Sequence, residues 1–206
     1  MIQGSVEWHA ARCGKVTASR IADIIAKTKS GISASRASYM GELIAERLTG
    51  KPAEGFVSDA MKWGMEHEAA AREAYSLITG ESVQQVGFID HPTIRMSGAS
   101  PDGLFANHYL VEIKCPNTST HLDILLSEKV PTKYVTQMTW QGACTGRTFC
   151  DFVSYDPRLP LDMQLFVQRI ALDPAYMIEL EREVVKFILE LEAQLDGLRA
   201  KYRRAA

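Results

Sequence analysis

No stretch of the 206-residue chain approaches the roughly 18 consecutive apolar residues of a membrane-spanning helix. The opening residues, Met1 to Trp8, carry neither the basic segment nor the apolar core of a secretory signal, so none is expected. Cysteine is scarce. The four present are Cys13, Cys115, Cys144 and Cys150, and no two form a C-x-x-C pair. That usage suits free thiols in a reducing cytosol better than a disulfide framework, and the spacing does not fit a compact four-cysteine cluster. There is no internal repeat and no low-complexity tract. These absences exclude the collagen, coiled-coil, disordered and membrane classes.

Charge of one sign is lacking too: 23 Lys and Arg stand against 25 Asp and Glu, a net charge of -2. The total therefore demands no polyanionic partner. The distribution is less even, because the first 36 residues hold six Lys or Arg against two acids, Glu7 and Asp23. The tail carries Arg199, Lys201, Arg203 and Arg204 with no acid among them. Two basic ends could build a polyanion-binding face or be scattered solubilising charge. With 46% hydrophobic and 23% charged residues, the chain has the composition of a single folded domain.

Periodicity and capping residues predict the elements. Thr17 or Ser19 is placed to cap a helix through Ile25, and Lys29 to Ser35 reads as a loop. Helices are expected from about Ser38 to Leu48, stopped by Gly50, and from Ser58 or Asp59 to near Gly80. Strands are expected over Ser82 to Asp90, Ile94 to Ser97 and Tyr109 to Lys114, with Gly103 and Asn107 in the turn before the last. A short helix over Thr118 to Leu126 and another from Pro131 to about Cys144 follow. Phe149 to Ser154 and Leu165 to Ala171 read as strands, and Pro174 opens a final amphipathic helix. This order gives a mixed α/β domain with a central sheet flanked by helices.

The chemistry concentrates in Ser100-Pro101-Asp102-Gly103 and Glu112-Ile113-Lys114-Cys115-Pro116. Residues two apart on a strand share a face, so Glu112 and Lys114 point together while Val111 and Ile113 enter the core. A hairpin would return Asp102 to Glu112. Two carboxylates held together repel unless they share a proton or a cation. A hard ion such as Mg²⁺ takes carboxylate oxygens, polarises phosphate and activates water. The plainer alternative is a same-face Glu112–Lys114 ion pair on an edge strand.

With these residues in view, the sequence resembles the phage lambda exonuclease or YqaJ-type viral recombinase family of the PD-(D/E)XK nucleases. The resemblance runs from about Trp8 to Pro157. It includes Trp8-His9-x-x-Arg12-x-Gly14-x-Val16-Thr17-Ala18-Ser19, Trp63-Gly64-x-x-x-Glu68, Tyr134-x-x-Gln137-x-x-x-Gln141 and Tyr155-Asp156-Pro157. It implies a restriction-endonuclease-like core and a Mg²⁺-dependent 5′→3′ exonuclease, with Mn²⁺ as a possible substitute. Such an enzyme degrades one strand of linear duplex DNA from a 5′-phosphorylated end. The resemblance further implies a ring-shaped homotrimer, a single-strand annealing protein as partner, and a phage or prophage origin in the cytoplasm of a bacterial host.

By the same resemblance, Asp102, Glu112 and the backbone carbonyl of Ile113 would hold the metal, Lys114 would position the water, and Glu68 would complete the metal site. Arg12, Ser19, Ser100 and Gln137 would receive the 5′ phosphate. From the residues alone, Glu68 reads as a solvated partner of Arg72 at i+4, which the match around Trp63-Gly64 reverses, and Arg12 as an ion pair with Glu7 or Asp23. Gln137 could be an exposed helix residue. Trp8, His9 and His67 read as packing residues, and Gly64 is expected to let its helix approach the sheet. The resemblance implies that the whole chain, 1–206, is one nuclease domain: a helical part over 1–57 with the phosphate contacts, a core over 58–157, and a strand and helix over 158–206. Rival readings are a site-specific or structure-specific endonuclease of the same superfamily, a non-catalytic DNA-binding relic, and a module that only recruits an annealing protein.

Overall fold

The computed structural model describes residues 1–28, 31–53 and 58–202. The first part runs through α1 (Val6–Arg12), β1 (Val16–Thr17), a 3-10 turn (Ala18–Arg20), α2 (Ile21–Ile25), β2 (Lys27–Thr28), β3 (Gly31–Ile32) and α3 (Ala34–Thr49). Then come α4 (Asp59–Thr79), β4 (Ile89–Asp90), β5 (Ser97–Ala99), β6 (Gly103–Phe105) and β7 (Tyr109–Lys114). The chain closes with α5 (Thr118–Ser127), α6 (Thr132–Thr145), β8 (Phe149–Tyr155), β9 (Leu165–Ala171) and α7 (Pro174–Tyr202). None of the helices among the described residues is long and apolar enough to cross a membrane.

The main sheet has the order β6-β7-β8-β9. β6–β7 and β8–β9 are antiparallel hairpins, and β7 runs parallel to β8 with α5 and α6 as the crossover between them. β7 is therefore interior, with hydrogen-bonded neighbours on both sides, and not the edge strand that a simple surface ion pair would occupy. Its alternation divides the core. Val111 and Ile113 pack with Ala71 and Tyr75 of α4 and Val153 of β8, while Leu110 packs with Ile124, Met138 and Phe152 on the α5–α6 side. Full burial of such a side chain contributes about 1.5–3 kcal/mol. On this apolar strand Glu112 is only 1% exposed.

A second sheet, β1-β5-β4, joins the amino-terminal part to the core: β1 runs parallel to β5, and α6 packs on β5 and on the 3-10 turn. Trp140 of α6 is fully buried there and donates its Nε1–H to the Gly98 carbonyl at 3.2 Å. The helices around it, α2, α3 and α7, supply Ile21, Leu43, Val184 and Phe187 to one cluster.

Several expectations are corrected. Neither Thr17 nor Ser19 caps α2 with its side chain. α3 starts earlier than expected, at Ala34, because Ser33 accepts from the Arg36 amide. The expected strand over Ser82 to Asp90 shrinks to a bridge, Gln84 with Leu104, and the two-residue β4. β5 begins at Ser97, where Ile94 to Ser97 had been expected to be the strand. Gly103 lies in β6, where a Cβ would meet Val83 Cγ1 at 2.1 Å, rather than in a turn. The turn itself is Ala106 to His108. Ala106 takes a positive φ of 43° there, held by Arg147, whose Nη1 donates to the carbonyls of Phe105, Ala106 and Tyr109. A methyl at Gly64 would meet no atom of the described residues within 4 Å, so close approach to the sheet does not explain this glycine. Lys29, Ser30, Arg203 and Arg204 lie outside the described residues. Capping by Gly50 and Gly80, both in the left-handed region, follows the sequence.

Candidate active site

The register that pairs Gly103 with Val111 sets Asp102 opposite Glu112. Asp102 Oδ2 accepts the Ile113 amide at 2.6 Å, which fixes the carboxylate against β7. Glu112 is gripped on both oxygens. Oε1 accepts from Lys114 Nζ and from Gln137 Nε2, each at 2.5 Å, and Oε2 accepts from Gln141 Nε2 at 2.6 Å. Glu68, on α4, pairs with Arg72, and its electrostatic neighbours include Glu112 and Lys114.

The electrostatics show a cluster with too little positive charge. Burial first, then the Glu112 charge, push the Asp102 carboxyl well above the usual carboxylate range. Burial also raises Glu68 against the pull of Arg72, with Glu112 adding to the rise. For Lys114, burial works against the charged form, but Glu112 and Asp102 outweigh it and raise its pKa. Three carboxylates thus face two cations, one of them tied to Glu68. Among the described residues no three His, Cys, Asp or Glu side chains form a ready-made metal cage. The donors that do converge are hard oxygens, those of Asp102 and Glu112, and hard oxygens are the type that Mg²⁺ takes. Their mutual repulsion is the kind that a cation relieves.

The start of α4 is anchored beside this cluster. Arg158 lies over the Trp63 ring at 4.1 Å and is held by Asp156, while His67 stacks on Trp63 and hydrogen-bonds its carbonyl. Burial alone would raise Asp156, but bonds from Arg158 and Thr118 bring it down to about 2. His67 is therefore a packing residue, as expected from the sequence.

The chain is similar to known exonucleases. A family model described as the YqaJ-like viral recombinase domain matches residues 7–148. The alkaline exonuclease LHK-Exo from Laribacter hongkongensis is 53% identical with a TM-score of 0.89, over 96% of this chain and 97% of that one. Its complex with dAMP aligns with a TM-score of 0.90 at the same identity and coverage. The chain belongs to the YqaJ-like viral recombinase family. Likeness of that degree over nearly the whole of both chains also gives the enzyme class, an exonuclease. A phage related exonuclease from Haemophilus somnus 129PT is 15% identical with a TM-score of 0.69, over 91% of this chain and 96% of that one, and shares the fold. No curated protein sequence matches.

The residues expected to receive a phosphate are only partly gathered. Arg12 stacks on Trp8 at 3.8 Å, and the Trp8 indole donates to Ser100 Oγ at 2.9 Å, so those three form one unit. Arg12 makes no ion pair with a described residue, and Asp23 is taken by Arg20. Ser19 is exposed on the 3-10 turn. Gln137 is committed to Glu112, which makes it a partner of the carboxylate cluster in this structure. The basic amino-terminal segment is also less free than its count suggests: Lys15 pairs with Asp90, Arg20 with Glu42, and Arg36 with Glu190. The sequence reading gave Trp8 a packing role only and Gln141 no role. Both stand in the motif blocks, and Gln141 could have been found as a glutamine at i+4 from Gln137 on an otherwise apolar face.

Proposed function

We propose that the protein hydrolyses one strand of linear duplex DNA from a 5′-phosphorylated end in the 5′→3′ direction, with Mg²⁺ as cofactor. The observation that carries the reading is the excess of carboxylate at the end of an interior strand, Asp102 and Glu112 against Lys114, in a chain with a 53% identical alkaline exonuclease relative. Asp102, Glu112 and the Ile113 carbonyl would hold the ion within a restriction-endonuclease-like core. Bound there, the ion supplies Lewis-acid stabilisation of the phosphate and of the leaving oxygen. Lys114 orients the attacking water and offsets phosphate charge. Glu68, aimed by Arg72, serves the water or a second ion.

Polarity would come from Arg12, whose guanidinium grips a terminal phosphate in a bidentate way, assisted by Ser100, Ser19 and Gln137. Contacts to the phosphate backbone carry affinity without sequence preference. The relative's complex with dAMP is consistent with a nucleotide-sized site. We place the enzyme in recombination by single-strand annealing, as a homotrimeric ring working with an annealing protein in the bacterial cytoplasm.

The test is a linear duplex labelled at either 5′ end, phosphorylated at one end only, incubated with Mg²⁺ or with chelator. Release of label from the phosphorylated 5′ end, in Mg²⁺ alone, is expected. Release from 3′ ends, or cutting of covalently closed circles at the same rate, would overturn the proposal in favour of another nuclease mode.

A further inference from the structure

Gln141 follows Gln137 by four residues on α6, so both side chains lie on one face of the helix. Gln137 is partly exposed, while Gln141 is fully buried away from solvent. Its Nε2 donates to Glu112 Oε2 at 2.6 Å, and its Oε1, also buried, has no hydrogen-bond partner among the described residues. An orphaned buried acceptor is costly, and a methionine of similar size would carry no such cost. The amide cannot improve matters by turning over, because Oε1 would then face a carboxylate. The residue's polar chemistry therefore serves Glu112 alone.

The pattern of donors gives that service a direction. Each oxygen of an ionised carboxylate offers about two acceptor positions. Oε1 fills its two with Lys114 and Gln137, whereas among the described residues Oε2 receives only Gln141. We infer that Gln141 is a positioning residue that locks the rotation of the Glu112 carboxylate, so that Oε1 stays with Lys114 and the second position of Oε2 is kept for the divalent cation. The inference rests on the reading of Asp102 and Glu112 as cation ligands.

The experiment is a calorimetric titration of Mg²⁺ into the DNA-free protein, with exonuclease kinetics run in parallel. The variants are Gln141→Met, which keeps the length and loses the donor, Gln141→His, whose ring Nε2 can restore it, and Asp102→Ala. Gln141→Met should weaken Mg²⁺ binding by about tenfold or more, the usual consequence of losing a residue that orients a ligand. Its kcat should fall while KM for DNA ends stays put, and Gln141→His should recover most of the affinity. Wild-type Mg²⁺ affinity in folded Gln141→Met would overturn the inference. If that variant fails to fold, a Gln141→His protein that binds Mg²⁺ as weakly as Asp102→Ala would do the same, and one near wild type would support it. Unchanged affinity in Asp102→Ala would instead bring down the reading of the site itself.

Discussion

Two carboxylates sit on neighbouring strands of the main sheet, and they are answered differently. Asp151 of β8 is 2% exposed and Glu112 of β7 is 1% exposed. Asp151 has a complete set of partners: Arg169 binds it through Nε and Nη2 at 2.7 and 2.9 Å, and Tyr75 donates to it at 2.7 Å. One negative charge meets one positive charge, and the Tyr75 bond ties α4 to the sheet. Glu112 shares its surroundings with Asp102 and Glu68, and burial first, with the Glu112 charge adding to it, holds both toward their neutral forms against the pull of Lys114 and Arg72. Burial alone does not mark a functional carboxylate, since both are buried. The missing countercharge is what the proposed cation site rests on, because like charges held together repel unless a proton or a cation joins them.

That comparison can be broken in several ways. The largest effect expected is on activity: Asp102→Ala or Lys114→Met should lower kcat by about 10²–10⁴-fold, the range for groups acting at the reacting centre, with the fold intact by circular dichroism. Arg169→Met should do the reverse. It strands Asp151 and should cost about 2–3 kcal/mol in denaturant unfolding, below the range for fully buried pairs because Arg169 is half exposed. Residual activity of the folded fraction should stay near wild type.

The pH dependence sharpens the contrast. Asp102 and Glu68 have raised pKa values in the folded state, so their contribution to stability is full below the ordinary carboxylate values and is lost as pH rises through the raised ones. On the proposed reading of the site, Mg²⁺ would compete with those protons. Its affinity should therefore climb with pH across that window, and titration calorimetry at several pH values checks this. A smaller effect is expected at Arg12, where Arg12→Lys should reduce the preference for 5′-phosphate over 5′-hydroxyl ends by about tenfold, as a bidentate contact becomes a point charge. Least of all, Gly64→Ala should stabilise α4 by about 0.5–1 kcal/mol, since the added methyl meets open space.

The local structure that carries the candidate site was more legible in the sequence than its surroundings. Alternation in Tyr109–Lys114 and the Asp102 hairpin follow from local pattern, as do the helix stops at Gly50 and Gly80 and the start of α7 at Pro174. α1 was missed because it is short and buries no residue, so it has no apolar stripe to read. The segment from Ser82 was misread because β-branched and aromatic residues satisfy a strand pattern whether or not a partner strand is available, and here only Gln84 and Ile89–Asp90 find one. The Gln137–Gln141 grip on Glu112 depends on how α6 is laid against β7, a tertiary fact that spacing hints at and does not determine.

The most direct test is the thermal stability of the wild type, Asp102→Ala and Asp151→Asn with and without Mg²⁺ at alkaline pH. The unbalanced cluster predicts that Mg²⁺ raises the Tm of the wild type and of Asp151→Asn, but leaves Asp102→Ala unmoved. An equal rise in all three, or no rise in the wild type, would contradict the account.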